Sequence, residues 1–439
     1  MLFSLHGIHV PHRKNTADMK PVRMVPPETV TIPMSMHIGK PADPVVKVGD
    51  KVYVGTLIGA QSGFVSAPVY SSVSGTVAKL EEIILSNGTK GCAVVIKSDG
   101  EMTPDPEIKA PTVDSKETLI EAIKNAGTVG LGGAGFPSYI KFNTPEGKHV
   151  DEMIINGAEC EPYITSDTRT MIDKTEDIRR AIDYILRYID IGRVIIGIEN
   201  NKPKAIEAMR ALEADERITV KVLPSLYPQG GEKVLVYHTT GKVIPAGKLP
   251  LDVGCIVVNV TTLGAIGNYI ATGMPIVSKC VTVDGSAVKE PKNLIVPIGT
   301  KLSDVFEFAG GFRCEPKKVL LGGPMMGIAV PTLDTPVMKN TNATVAFDEK
   351  DAAPKPETAC IRCGGCANHC PVSLNPAAIM RAYKSGDTDA LAQLRVDICM
   401  ECGCCSYTCP AGQRLVETNK LSKALLREEA MKKKEAEKK

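Results

Sequence analysis

The sequence holds no tryptophan, and aromatic residues make up only 4% of its 439 positions. That scarcity excludes the stacking platforms on which single-stranded nucleic acids and sugars are read. A charge bias is missing too: the formal net charge is +2, which gives no electrostatic reason to expect nucleic acid or a lipid surface as a direct partner. No apolar run approaches the roughly 20 residues that cross a bilayer. The longest, at residues 194–198 and 255–260, have the length of core strands. Residues 1–10 lack a basic start and a sustained apolar stretch, so no secretory signal is expected and the chain should stay in the cytoplasm. Any membrane association then has to come through partner proteins.

What is present in excess is cysteine, with fourteen residues. Cys92, Cys160, Cys255, Cys280, Cys314 and Cys404 follow no pattern, and such thiols are usually small core residues. The other eight form two runs, Cys360-x2-Cys363-x2-Cys366-x3-Cys370-Pro371 and Cys399-x2-Cys402-x2-Cys405-x3-Cys409-Pro410. In a reducing compartment clustered thiols read as metal ligands. This spacing is that of bacterial two-cluster ferredoxins, in which the fourth cysteine of each run ligates the other cluster. Three thiolates on a tight loop wrap three corners of a cubane, while the fourth, pinned by proline, starts a helix that points away. Cys360, Cys363, Cys366 and Cys409 are thus assigned to one [4Fe–4S] cluster, and Cys399, Cys402, Cys405 and Cys370 to the other. Gly364, Gly365 and Gly403 let backbone amides approach the sulfurs. Zinc knuckles are the competing reading, but zinc has no use for four cysteines and a proline, twice. Cys404 is a fifth thiol inside the second run, which leaves the choice between it and Cys405 open. Residues 376–394 read as a helical connector broken near Gly386, the α-helical variety of two-cluster module.

The length calls for about two to four domains. Residues 1–110 are strand-and-turn material, with alternating valines around Gly49-Asp50 and Ser74-Gly75, and resemble a biotinyl/lipoyl-like β-barrel. The hairpin tip at residues 61–64 has no lysine to modify, so a purely structural barrel is expected. Residues 112–273 alternate helices and strands, beginning with a capping box at Asp114 and Glu117, as in a Rossmann-like α/β domain with a mostly parallel sheet. Residues 274–345 suggest a β-grasp module, and a Pro/Thr/Asn-rich stretch at 331–357 reads as a linker. The two-cluster domain covers 355–415, and 416–439 is a charged tail, read as a solvated or frayed helix.

Four loops of the α/β segment carry candidate ligand-binding residues, and all but the first follow strands, where open α/β sheets bind ligands. Gly130, Gly132, Gly133, Ala134, Gly135 and Phe136 form a glycine-rich turn whose amides can close on a phosphate or an isoalloxazine ring. Asn156, Glu159 and Glu161 lie in the second loop; Gly230, Gly231 and Glu232 in the third; Asn259 and Thr262 in the fourth. Lys141 is placed to balance a phosphate.

Gly130-Leu131-Gly132-Gly133-Ala134-Gly135-Phe136-Pro137, Asn156-Gly157-Ala158-Glu159-Cys160-Glu161-Pro162, Gly230-Gly231-Glu232 and Val257-Val258-Asn259-Val260-Thr261-Thr262-Leu263 resemble the FMN- and NADH-binding loops of the flavoprotein subunit of respiratory complex I. With Gly7-Ile8-His9-Val10-Pro11, the barrel, a β-grasp (SLBB-like) module and the cysteine runs, residues 1–415 resemble the C-subunit family of Rnf ion-translocating electron-transport complexes. The resemblance implies non-covalent FMN on residues 130–262, two clusters on 360–409 and NAD(H) as substrate. It also implies other Rnf subunits as partners, ferredoxin indirectly, and a peripheral seat on the cytoplasmic face of the membrane. Leu131 stands where the complex I loop carries arginine, and Cys160 interrupts the acidic loop.

Flavin chemistry is required on general grounds, because nicotinamide gives two electrons as hydride and a cluster takes one at a time. Phe136 and Glu232 are expected to frame the nicotinamide. The alternatives are a soluble flavin/iron–sulfur reductase, such as the cobalamin reductase of propanediol-using microcompartments, and a non-flavin iron–sulfur relay or scaffold.

Overall fold

The computed structural model describes residues 7–86, 88–145 and 148–436. The ends of the expected first domain and tail, residues 1–6 and 437–439, lie outside them.

The N-terminal strands are β1 (Val22–Arg23), β2 (Thr29–Pro33), β3 (Asp43–Pro44), β4 (Lys51–Val52), β5 (Leu57–Ala60), β6 (Val69–Tyr70), β7 (Gly75–Ile84) and β8 (Lys90–Ser98). Two small sheets, ordered β2-β8-β7-β4 and β3-β5-β6, enclose Val30, Ile32, Ile58, Val69, Val94 and Ile96. Burial is greatest in the middle of this unit, where four consecutive residues of β2 and of β8 are buried, while β7 is largely exposed. The first residues do not belong to this sandwich. Ile8 bridges to Tyr227, and β1 extends a distant sheet beside residues 294–295.

The α/β unit follows: α1 (Lys116–Asn125), α2 (Ser138–Phe142), β9 (Val150–Gly157), α3 (Ser166–Asp173), α4 (Thr175–Tyr188), β10 (Ile191–Glu199), α5 (Pro203–Arg210), β11 (Ile218–Leu223), α6 (Glu232–Thr240), β12 (Cys255–Asn259) and α7 (Val260–Thr272). The cap of α1 is not Asp114 with Glu117. Ser115 Oγ accepts from the Thr118 N–H and Thr118 Oγ1 accepts from the Ser115 N–H, so the capping box sits one residue further along the chain than the expected pair. The sheet is parallel, in the order β11-β10-β9-β12. Met153 and Ile155 of β9 turn to one apolar layer and Ile154 to the other, so helices cover both faces. Strand order reverses beside β9, and the crevice between the ends of β9 and β12 is the switch point where such sheets bind ligands.

A mixed six-stranded sheet, β1-β14-β13-β17-β15-β16, is built from β13 (Ser278–Asp284), β14 (Lys292–Pro297), β15 (Lys318–Leu321), β16 (Ile328–Ala329) and β17 (Ala343–Phe347), with α8 (Leu302–Phe308) packed on it. β17 lies inside the stretch expected to be a linker. Its five residues are all buried between two partner strands; the polar residues around so short an apolar run hid it.

Short helices α9 (Glu349–Ala352) and α10 (Gly365–Asn368), then α11 (Pro376–Lys384), α12 (Thr388–Gln393), α13 (Cys404–Tyr407) and α14 (Leu415–Ala436), complete the chain. The tail, expected as a solvated or frayed helix, is a 22-residue helix, but its first turns are packed: Leu415, Asn419 and Ser422 are buried, and Leu425 and Leu426 touch the α11–α12 core. These positions repeat at three- and four-residue spacing, which makes one apolar stripe among the charges.

A very close helix contact sits under the flavin-type loops. A Cβ on Gly267 of α7 would collide with the Asp177 carbonyl oxygen of α4. Gly267→Val should therefore cost about 1–3 kcal/mol by overpacking, at about 2–4 °C of thermal midpoint per kcal/mol. With no tryptophan to follow, circular dichroism is the measurement.

Candidate functional site

The glycine-rich segment is a closed loop between α1 and α2. Val129 bridges to Pro137, and the Gly130 and Gly135 amides donate to the Phe136 and Gly130 carbonyls. Leu131 N–H donates to Thr262 Oγ1, which donates to the Val129 carbonyl, so the loop is tied to the start of α7. Asn259 caps that helix through Oδ1, and its Nδ2 donates to Asp167. Gly132 is pressed on the Asn259 side chain, whereas a Cβ on Gly133 would meet nothing within 4 Å. The tip, Gly132 to Ala134, is exposed, and among the described residues the Gly132 and Ala134 amides have no protein acceptor. Phe136 is half-buried.

The other loops close the same crevice. Asn156 Nδ2 donates to the Gly230 carbonyl at 2.9 Å, joining the end of β9 to the loop before α6. Lys141 donates to the Val257 carbonyl at 2.8 Å and lies 3.7 Å from exposed Glu232. Burial pushes the Lys141 ammonium below its ordinary range, and Glu232 opposes the shift. Gln229 Nε2 is buried without a protein partner among the described residues. Exposed glycine amides, a gap above Gly133 and an orphaned amide are what a flat, polar-edged ring with a phosphate would need, so these residues fit FMN.

Glu159 and Glu161 are both held by backbone amides. Glu159 accepts from the Asp167 and Thr168 amides at the start of α3, and Glu161 from the Met325 and Met326 amides beside β16. Burial pushes both carboxyls up to about 7. The loop is wound around Lys14, whose ammonium donates to the Glu159, Glu161 and Ile164 carbonyls at 2.6 to 2.8 Å. Burial brings Lys14 down to about 8, against the pull of Glu159. Cys160 Sγ accepts the Gly230 amide at 3.4 Å, and burial lifts its thiol to about 12, so it is a structural, unreactive sulfur. Leu131 is a core residue packed with Val129 and Ala67 against the barrel.

The two cysteine quartets gather into separate places. Cys360, Cys363, Cys366 and Cys409 line a cavity of about 420 Å³ that opens to solvent at Cys360 and Cys363. Cys370, Cys399, Cys402 and Cys405 line a tighter one. Cys404 also borders it, but its Sγ approaches the Tyr227 carbonyl at 3.9 Å, inside a cluster with Ile8 and Val10. Among the described residues no three His, Cys, Asp or Glu converge as a single metal ion requires. Four thiols around one cavity are the ligand set of a cubane. Amides already point at the sulfurs: Leu374 N–H reaches Cys370 Sγ at 3.2 Å and Glu401 N–H reaches Cys399 Sγ at 3.4 Å.

The second quartet lies directly on the flavin-type loops. Tyr227 Oη donates to the Cys402 carbonyl at 2.7 Å, and Met400 occupies the space a Cβ on Gly231 would fill. Sequence reasoning missed Lys14, Tyr227, Met400 and Asn419, since no spacing marks a lone residue whose partner is distant in the chain.

This layout is that of an iron–sulfur flavoprotein. Residues 3–101 match the family model of the RnfC barrel sandwich hybrid domain, and 123–268 that of the Nuo51 FMN-binding domain. Residues 280–329 match the SLBB domain, and 359–414 the 4Fe-4S dicluster domain. The chain is 41% identical to the C subunit of the proton-translocating ferredoxin:NAD(+) oxidoreductase complex of Clostridium ljungdahlii, over 85% of this chain and 82% of that protein. It is 42% identical to the C subunit of the Na(+)-translocating complex of Acetobacterium woodii, over 85% of each. It is 37% identical to the C subunit of the ion-translocating oxidoreductase complex of Rhodobacter capsulatus, over 89% of this chain and 77% of that protein. The chain belongs to this family, the C subunits of Rnf-type ion-translocating ferredoxin:NAD(+) oxidoreductase complexes. Among the described residues no helix is long and apolar enough to cross a membrane.

Lys14→Met should strand three carbonyls, each roughly 1–3 kcal/mol when buried unpaired. The expected result is faster proteolytic cutting at residues 157–164 and a lower thermal midpoint.

Proposed function

We propose that this chain is the peripheral electron-transfer subunit of a membrane-bound, ion-translocating ferredoxin:NAD oxidoreductase complex, seated on the cytoplasmic face through its partner subunits. Its cofactors are FMN and two [4Fe–4S] clusters, and its substrate is NAD(H). The carrying observation is the seating of the Cys399–Cys402 loop on Gly231 and Tyr227, which supports an iron–sulfur site lying close to a flavin site. Neither alternative, a soluble microcompartment-type reductase or a scaffold without flavin, has an observation in its favour.

Gly130, Gly132, Gly133, Ala134, Gly135, Asn156, Gly230, Gly231, Asn259 and Thr262 would hold the FMN, with Phe136 and Glu232 at its open side. Lys141 supports that side from beneath, through its pair with Glu232. Cys360, Cys363, Cys366 and Cys409 would ligate one cluster; Cys399, Cys402, Cys405 and Cys370 the other. The inward turn of Cys404 toward Tyr227 favours Cys405 as ligand. Glu159 and Glu161 hold the loop in place, beside the site, through backbone amides. When bound, FMN accepts two electrons together and releases them singly, which matches a hydride donor to one-electron clusters. The protein's own part is positional: it fixes the ring site against the second quartet, excludes water with Tyr227, Met400 and Val10, and leaves the first quartet open to an external electron partner.

Two measurements test this. Purified chain with loaded clusters should oxidise NADH with an artificial acceptor, lose that activity when stripped of flavin, and regain it on adding FMN; activity indifferent to stripping would refute the assignment. Gly133→Leu should abolish FMN retention, seen as loss of the flavin absorbance bands, with no change in thermal midpoint. Gly132→Ala should lower the midpoint, because its Cβ meets Asn259.

A further inference from the structure

The tail helix α14 carries an anomaly. Asn419 is 1% exposed in its interior, on the stripe with Leu415, Ser422 and Leu426. Asparagine is a poor residue inside a helix, and a buried amide costs roughly 1–3 kcal/mol unless it is hydrogen-bonded. Leucine would serve packing better. The one protein partner of this side chain among the described residues is a sulfur: Nδ2 donates to Cys399 Sγ at 3.4 Å, while Oδ1 has none. One turn on, Lys423 is also largely buried, and its ammonium donates to the Cys399 carbonyl at 2.9 Å and to Glu401 at 2.5 Å. Cys399 thus receives the Glu401 amide and a side-chain amide on its sulfur and an ammonium on its carbonyl. Among the described residues no side-chain donor reaches the sulfurs of Cys360, Cys363, Cys366 or Cys409.

We propose that Asn419 is a positioning residue for the second quartet, and that with Lys423 it raises the reduction potential of the cluster held there relative to the same site without them. Reduction adds negative charge to the cluster and its sulfurs, so a donor to a ligating sulfur stabilises the reduced form more than the oxidised one. Lys423 acts in the same direction by neutralising Glu401, whose carboxylate would otherwise stand unpaired beside Cys399. This rests on the reading above that both quartets hold [4Fe–4S] clusters.

The test is a redox titration of the full chain, loaded without air and followed by electron paramagnetic resonance, with iron counted in parallel. Wild-type protein should hold about eight irons and show two cluster signals; Cys363→Ser alters one and so identifies the first quartet. Asn419→Leu should keep the iron and move only the other signal to a more negative potential. A tenfold fall in its reduced-to-oxidised ratio would be about 59 mV for one electron. Lys423→Met should move the same signal in the same direction. If Asn419→Leu sheds iron, Asn419→Gln, which keeps a donor, and Lys423→Met decide: iron and potential nearer wild type in the first and a negative shift in the second support the inference. Eight irons with both potentials unmoved, or a shift in the signal that Cys363→Ser alters, overturns it and leaves the functional reading standing. Wild-type protein without iron removes both.

Discussion

Everything in this molecule is arranged around one contact, the loop from Cys399 to Cys402 lying on the loop from Tyr227 to Glu232. Electron transfer falls steeply with distance, so redox sites on one chain must lie close together, and this contact is where the α/β unit meets the cysteine-rich module. Gly231 has no side chain, and Met400 fills the space; Tyr227 is 2% exposed and spends its hydroxyl on the Cys402 carbonyl. A buried tyrosine hydroxyl needs a partner, and taking it from the cluster loop fixes both orientation and separation.

That contact joins two segments more than 170 residues apart, and neither could hold it alone. The N-terminal strap supplies the rest. Ile8 pairs with Tyr227, Val10 packs with Cys402 and Cys404, and Lys14 gathers the carbonyls of the acidic loop. Two residues of that loop, Glu159 and Tyr163, sit at φ +47 and +70, a conformation side chains adopt reluctantly. An ammonium holding three carbonyls offsets that reluctance and keeps the turn in place. Glu161 then reaches across to the amides of Met325 and Met326, so one loop locks the α/β unit to the β-grasp sheet. Removing such a buried charge leaves its partners unpaired, so the geometry of the whole loop depends on it.

The cofactor chemistry was legible in the sequence because it is local. Cysteine spacing is set by the size of a cubane, and glycines in a turn by the need for bare amides, so both survive as short patterns. The parallel strands were legible too, since apolar runs bounded by glycine or proline read directly as core strands. What was hidden is non-local. Glu159 and Glu161 stood out as acidic residues at a strand end, but the backbone amides that hold them, far away in the chain or on the next helix, leave no mark in the spacing. β17 was masked by polar neighbours, and the tail by its charge, although a stripe at 415, 419, 422 and 426 was there to be seen.

The two quartets are chemically alike in sequence and unlike in surroundings, and the difference follows from which elements cover them. The first is covered by α10, α11 and the turn after Cys409, and its leading thiols, Cys360 and Cys363, are left in solvent. The second is walled on one side by the flavin-type loops and on another by α14. A short two-cluster module alone would have near-twofold symmetry and little reason for its halves to differ. Docking one half on an α/β domain and bracing it with a helix breaks that symmetry, leaving one site enclosed and one exposed. An enclosed site can be tuned by fixed donors, because no water competes for the sulfurs, whereas an exposed one is tuned largely by solvent. The same asymmetry sets the quartet packed on the α/β unit apart from the quartet whose leading thiols are exposed.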